Sequence, residues 1–392
     1  MGRRFAVVGI STSAICGVRD HAELLDAALE RDGIVCTRHW LSRDPAPLRR
    51  AGARMRAWTR ALERELRADP PDAVLLHYSV FAYSQRGVPA FAMAVPAAAR
   101  RAGVPLITVL HEFAYPWRRR GWRGMAWALT QRAALIEVVR ASAALVLTAD
   151  FQQRWVASRP WLVRRPSAVA PVFSNLPPAT LAGPPNARER PVVGLFGYSA
   201  EGAAVELTSD ALRQLADLGM PVDLSLLGAP GRDSPPGEMW LSAARARGVE
   251  DALTFSGVLS PQALSDALAA CDVLLFAETA GPTTRKTTLA ASLAAGRPVV
   301  AIDGPSAWPE LVRAQAAKVV APNTPALTEA LRKLLDDASL RETQGARGRA
   351  FAQERMSAAG NARIVGELLE EVLAGTARRV RVSFQDAHHF TK

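Results

Sequence analysis

The sequence predicts an α/β protein of two tandem doubly wound, Rossmann-like domains. Three observations carry this. The chain has 392 residues, 49% of them hydrophobic, enough for two cores at roughly 100–200 residues per domain. Short apolar runs alternate with helical patterns, and the alternation occurs twice. Between the two series lies LPPATLAGPPNARERP (176–191), with five prolines and little apolar periodicity, the composition of a connection.

In the first series the expected strands are Phe5–Val8, Ile34–Thr37, Ala73–His77, Leu106–Leu110 and Ala144–Leu147. Helices are expected over about Asp20–Glu30, Ala53–Ala68, Ala90–Ala102 and Met125–Ala141. Strands recurring between helices imply a parallel sheet covered on both faces, with ligands at its carboxyl edge. The second series reads strands at Val192–Phe196, Val222–Leu227, Leu253–Phe255, Val273–Phe276, Val299–Ile302 and Lys318–Val320. Its helices fall at Val205–Leu218, Trp240–Arg247, Pro261–Ala270, a segment ending near Ala295, Thr324–Asp336, and Ala346–Leu373. The expected boundaries are 1–180 for the first domain, 181–190 for the linker, 191–355 for the second domain, and 356–392 for a helix returning to the first domain and its tail.

Composition narrows the partners. The first 187 residues carry 26 Lys+Arg against 13 Asp+Glu, a balance of +13, whereas 188–392 carry 22 against 24, a balance of −2. Cys16, Cys36 and Cys271 show neither CxxC nor Cys/His metal spacing, so no metal site or disulfide framework is expected, and a reducing cytoplasm fits. The chain lacks an apolar run of about 18 residues, so it is read as soluble or surface-bound.

Two basic stretches stand out. Residues 49–67 interleave Arg49, Arg50, Arg54, Arg56, Arg60, Arg64 and Arg67 with Met55, Trp58, Leu62 and Leu66, one basic amphipathic helix. Trp117-Arg118-Arg119-Arg120-Gly121-Trp122-Arg123 puts indoles beside guanidinium groups. Both suit an anionic bilayer surface, where each nearby Arg adds about 1 kcal/mol; the alternatives are apolar packing with solvated Arg, or a polyanionic glycan. Nucleic acid is not expected, since the fold carries no recognised reading module.

The stretch 256–301, SGVLSPQALSDALAACDVLLFAETAGPTTRKTTLAASLAAGRPVVA, resembles the GT-B glycosyltransferases, above all the retaining family 4 group, in its strand, Gly turn, helix, buried strand, polar phosphate loop and closing Gly296-Arg297-Pro298-Val299-Val300. Cys16-Gly17-Val18 resembles the family's Gly-bearing loop, and His111-Glu112 its strand-end His. The paired glutamates of many members fall here at Thr283 and Ala291, and Gly197-Tyr198-Ser199-Ala200-Glu201-Gly202 replaces their Arg and Lys-Gly loop. A divergent branch is the better match.

The resemblance implies an interdomain cleft and transfer of a sugar from a UDP- or GDP-sugar, with retention and without a metal, to a glycan, lipid-linked or small-molecule acceptor. Breaking the bond to a diphosphate builds negative charge on the leaving group, so cations and helix N-terminal amides are needed there. Arg285 and Lys286 precede a helix starting near Thr287, with Thr287 and Thr288 as its caps. The expected donor contacts are Gly17, Gly197, Tyr198, Val258, Thr283, Thr284, Thr287 and Glu310. His111 is expected to orient the sugar, and Glu112 to be the base if configuration inverts. Asp20, His21, Arg54, Trp58, Arg118, Arg119 and Trp122 mark the acceptor or membrane side. The competing readings are an epimerase or inverting transferase of the same fold, and a non-catalytic nucleotide-sugar-binding or scaffold protein.

Overall fold

The computed structural model describes residues 2–12, 16–43, 47–114, 117, 121–180, 188–198 and 201–389, with only the backbone given over 376–389. Arg118 and Arg119, and most of the expected 181–190 linker, lie outside the described residues. The chain divides into two compact units, residues 1–171 with 358–392, and residues 172–357.

The first unit runs β1 (Arg4–Ser11), α1 (Gly17–Arg31), β2 (Val35–Ser42), α2 (Leu48–Ala68), β3 (Ala73–Tyr78), α3 (Ala94–Ala102), β4 (Leu106–Leu110), α4 (Gly121–Ala141), β5 (Ala144–Leu147), α5 (Asp150–Ala157) and β6 (Ser167–Val169). Its six strands are all parallel in the order β2-β1-β3-β4-β5-β6. The interior strands β3, β4 and β5 are buried along their whole length, which is why they read as unbroken apolar runs. α5 and β6 were not expected from sequence: the helix is only 8 residues and the strand 3, too short for either period to register.

The second unit runs β7 (Val192–Phe196), α6 (Gly202–Asp217), β8 (Asp223–Leu227), α7 (Pro235–Arg245), β9 (Leu253–Gly257), α8 (Pro261–Ala269), β10 (Val273–Phe276), α9 (Thr287–Ala294), β11 (Val299–Ile302), α10 (Pro309–Arg313), β12 (Lys318–Val320), α11 (Thr324–Asp336) and α12 (Ala338–Arg355). Its parallel sheet is ordered β12-β11-β10-β7-β8-β9. Residues 172–180, read from sequence with the first domain, group here. The Val172 N–H donates to the Thr284 carbonyl at 2.9 Å, Ser265 Oγ to the Pro177 carbonyl at 2.6 Å, and the Thr180 N–H to Asp266 Oδ1 at 2.7 Å.

The last expected helix, Ala346–Leu373, is two: α12 ends at Arg355 and α13 runs Ala358–His389. A Met356-Ser357 break separates them, and Met356 is buried in the second unit's core. α13 groups with the first unit, burying Ala362, Val365, Leu368, Leu369 and Val372, and Arg3 makes a two-pronged ion pair with Glu370 at 2.6 and 2.7 Å.

Candidate functional site: the carboxyl-edge loops of the two sheets

In a doubly wound sheet the strand order reverses beside the first strand, and the loops there diverge to leave a crevice. In the second unit that point lies between β7 and β10. Glu201, in the loop after β7, spans it: its Oε2 accepts from the Thr279 N–H at 3.0 Å and from Thr279 Oγ1 at 2.6 Å, in the loop after β10. Those bonds from Thr279, with a smaller contribution from the Lys286 charge, hold the Glu201 carboxyl below its ordinary range. Neither Glu201 nor Thr279 was singled out from sequence as a site residue, since the pairing joins positions 78 apart.

The loop after β10 is pinned through its backbone. Gly281 has φ +83°, and a Cβ there would lie 2.8 Å from the Gly304 nitrogen; a Cβ on Gly304 would lie 2.3 Å from the Thr279 carbonyl oxygen. The Ser306 and Trp308 N–H groups donate to the Ala280 and Pro282 carbonyls, both at 2.8 Å. Two glycines therefore let the loops after β10 and β11 touch, and this contact fixes where α9 starts.

At that start the expected cations separate. Arg285 is exposed, and its N–H donates to Thr283 Oγ1 at 3.2 Å. Lys286 is half-buried, and its Nζ lies 2.6 Å from Glu278 Oε2, so Lys286 already has an anionic partner. Thr287 and Thr288 do not cap the helix: the N-cap residue is Lys286, which makes no side-chain cap bond. By contrast, Ser234, Ser260, Asn323 and Asp337 accept backbone N–H groups at the starts of α7, α8, α11 and α12. The two helices flanking the switch point, α6 and α9, both lack such a bond. A helix start without a side-chain cap is a place where backbone amides can meet an anion, although the Ala204 N–H of α6 already donates to the Glu201 carbonyl at 2.9 Å.

Gly197 ends β7 with φ +67°, and a Cβ there would come within 2.6 Å of Thr288 Cγ2. Three other expected donor contacts have partners within the fold. Tyr198 is 4% exposed, meets Phe255 edge to face, and its Oη accepts from the Gly231 N–H at 2.5 Å. Thr284 is 1% exposed, with its hydroxyl inside the fold. Glu310 pairs with Arg355 at 2.9 Å. Thr283 is half-buried, while Thr287 and Val258, the latter 85% exposed, are open at the same edge.

The first unit repeats the geometry. Its order reverses between β1 and β3. Gly17 opens α1, and among the described residues nothing lies within 4 Å of where its Cβ would be. Asp20 sits in the first turn of α1. Glu112 Oε2 accepts from Ser79 Oγ at 2.6 Å. His111, just past β4, is held by its N–H to the Tyr78 carbonyl at 3.0 Å, and its Nε2 lies 3.0 Å from His77 Nδ1. His21 joins them, its ring centroid 5.0 Å from that of His111 and 5.9 Å from that of His77. Sequence spacing hid this cluster, although His77 ends an apolar strand just as His111 does. Burial pushes His21 down to about 4, and burial, with a lesser effect of His21, also holds His77 well below the ordinary histidine value.

The basic stretches divide. On α2, Met55, Leu62 and Leu66 are buried and Trp58 packs against the same core, leaving Arg54 on the exposed face. Trp58 is half-buried against that core. α4 is different: Trp122 (77% exposed), Met125 and Leu129 form an exposed stripe at helical spacing, and the Arg123 guanidinium lies 5.6 Å from the Trp122 ring centre. Among the described residues, no helix is long and apolar enough to cross a membrane.

With this geometry in place, comparison with known proteins is informative. Residues 190–337 match the family model described as Glycosyl transferases group 1. HepE from Anabaena, solved with UDP and glucose, is 16% identical at TM-score 0.63, covering 93% of this chain and 99% of that one. The fold is that of the GT-B glycosyltransferases. A glycosyltransferase from Rickettsia africae aligns at TM-score 0.68 and 12% identity over 94% of this chain and 99% of its own. A UDP-N-acetylglucosamine 2-epimerase described as putative, from Listeria monocytogenes, aligns at TM-score 0.58 and 13% identity over 92% and 94%. No curated protein sequence matches the chain significantly.

Proposed function

We propose that this chain is a retaining GT-B glycosyltransferase that moves a sugar from a nucleoside diphosphate donor to a lipid-linked or glycan acceptor at the cytoplasmic face of a membrane. The observation that carries the reading is a coincidence of place. The stretch matching the group 1 transferases contains the switch point, and Lys286 and the starts of α6 and α9, which carry no side-chain cap, lie beside it. Negative charge grows on the departing diphosphate, and positioned cations and backbone amides stabilise it without an ion at the diphosphate. Lys286 exchanges Glu278 for phosphate oxygen when donor binds. Gly197 and Thr287 border the phosphates, and Val258 lies toward the base. UDP-sugars are the first donors to try, given the UDP and UDP-glucose complexes of HepE. The α4 stripe supports an acceptor presented at an anionic lipid surface.

The test is donor hydrolysis and transfer with a panel of UDP- and GDP-sugars, with product configuration read by NMR. Lys286→Ala is expected to lower kcat/KM by about 10²–10³, the usual cost of losing one oxyanion donor. Wild-type rates in that variant overturn the assignment, an inverted product overturns retention, and release of an epimerised nucleotide sugar makes the chain an epimerase.

A further inference from the structure

Histidine is scarce in this chain, with six in 392 residues, and three of the six meet at one point. His21 comes from α1, His77 from β3 and His111 from the end of β4, so three separate elements deliver imidazoles to the carboxyl edge of the first sheet. One nitrogen from each can be chosen so that all three lie within 4.8 Å of one another. No Asp, Glu or Cys belongs to the group. We propose that His21, His77 and His111 bind one divalent transition-metal ion of the imidazole-preferring class, of which zinc is the type.

The geometry is close to what such an ion requires. Zn–N bonds of about 2.0–2.1 Å at a tetrahedral angle place donor atoms about 3.3 Å apart. The His77 Nδ1 and His111 Nε2 pair already stands at 3.0 Å, and the widest separation of 4.8 Å closes by ring displacements of about 1 Å. His77 is fully enclosed, so its ring is held in place by the surrounding strand packing. His21 and His111 are half-buried as residues. An all-nitrogen set selects against magnesium and calcium, which take oxygen ligands.

The inference stands apart from the transfer reading, which rests on the second unit. The experiment uses the full-length protein, stripped with a chelator and titrated first with Co²⁺, read by the visible absorption of four-coordinate cobalt, then with Zn²⁺ by calorimetry. The expected result is saturation at one ion per chain, with His21→Ala and His77→Asn each weakening Zn²⁺ binding at least tenfold while circular dichroism shows the fold retained. His77→Asn keeps side-chain volume in the buried strand, and His21→Ala lies on a helix, so one of the two remains informative if the other fails to fold. Zn²⁺ binding in the His21→Ala plus His77→Asn double variant equal to wild type, as ligation by the tail His388-His389 produces, overturns the proposal. So does wild-type protein that takes up no ion. Sugar transfer by metal-free protein leaves the transferase reading intact, and metal uptake without transfer overturns that reading alone.

Discussion

At the scale of single residues, the structure turns several ambiguous positions into definite ones. Gly197 is required twice over, by a left-handed φ of +67° and by the 2.6 Å approach to Thr288. Gly197→Ala should cost about 1–2 kcal/mol from the backbone alone and more from the contact, read as a lower urea midpoint. Glu278, 2.6 Å from Lys286, competes with the donor for that cation. Glu278→Gln should therefore lower the donor KM by about tenfold, a gain of about 1.4 kcal/mol, and an unchanged KM would separate Lys286 from the diphosphate. Asp26 is enclosed on α1, and burial lifts its carboxyl to about 6, with the Arg38 hydrogen bond at 2.6 Å pulling the other way. The folded state holds this proton more tightly than the unfolded chain. Its contribution is thus complete below about pH 4 and is lost as pH rises through about 6. Relative to wild type, Asp26→Asn should gain up to about 3 kcal/mol between pH 4 and pH 7, measured as the difference between urea unfolding curves at the two pH values.

Elements show how the same residue composition serves opposite ends. α2 and α4 both carry Arg and Trp, yet α2 turns its apolar residues inward at spacings of three and four, while α4 buries Gly124, Ala128, Gln131 and Leu135 and leaves Trp122, Met125 and Leu129 outside. Small residues on the inner face bring α4 close to the body of the first unit, and the large ones are left for another surface. In co-sedimentation with anionic vesicles, Trp122→Ala plus Leu129→Ala should weaken binding at least tenfold, because burying each side chain is worth about 1.5–3 kcal/mol. Arg54→Ala on α2 should cost no more than the roughly 1 kcal/mol of one basic side chain near the membrane. Equal losses in the two variants would move the lipid contact off α4.

For the molecule as a whole, α13 is the element that joins a distant part of the sequence to the first unit. It begins 187 residues after the last residue of the first unit's main segment and is built into that unit. Magnitudes decide what holds it: the Arg3–Glu370 pair is exposed on both sides and worth about 0–1 kcal/mol, whereas Leu369 is 0% exposed and its truncation to Ala should cost about 2–5 kcal/mol. Differential scanning calorimetry of Arg3→Ala and Leu369→Ala should show this order, and the reverse would mean that charge anchors the helix.

The amino-acid pattern alone determined the alternation of strands and helices, the two-sheet architecture and the approximate ends of nearly every strand, because a strand buried on both faces must be apolar throughout and cannot be disguised. It also singled out the stretch around Arg285 and Lys286, and His111, as positions at the carboxyl edges of the two sheets. Only the tertiary structure decided which neighbours these residues have. Glu201 meets Thr279, Lys286 meets Glu278, Tyr198 turns into the core, and His21, His77 and His111 converge. Each of these depends on which strands lie side by side and on the direction in which a side chain leaves its element, and neither quantity is carried by spacing along a single chain.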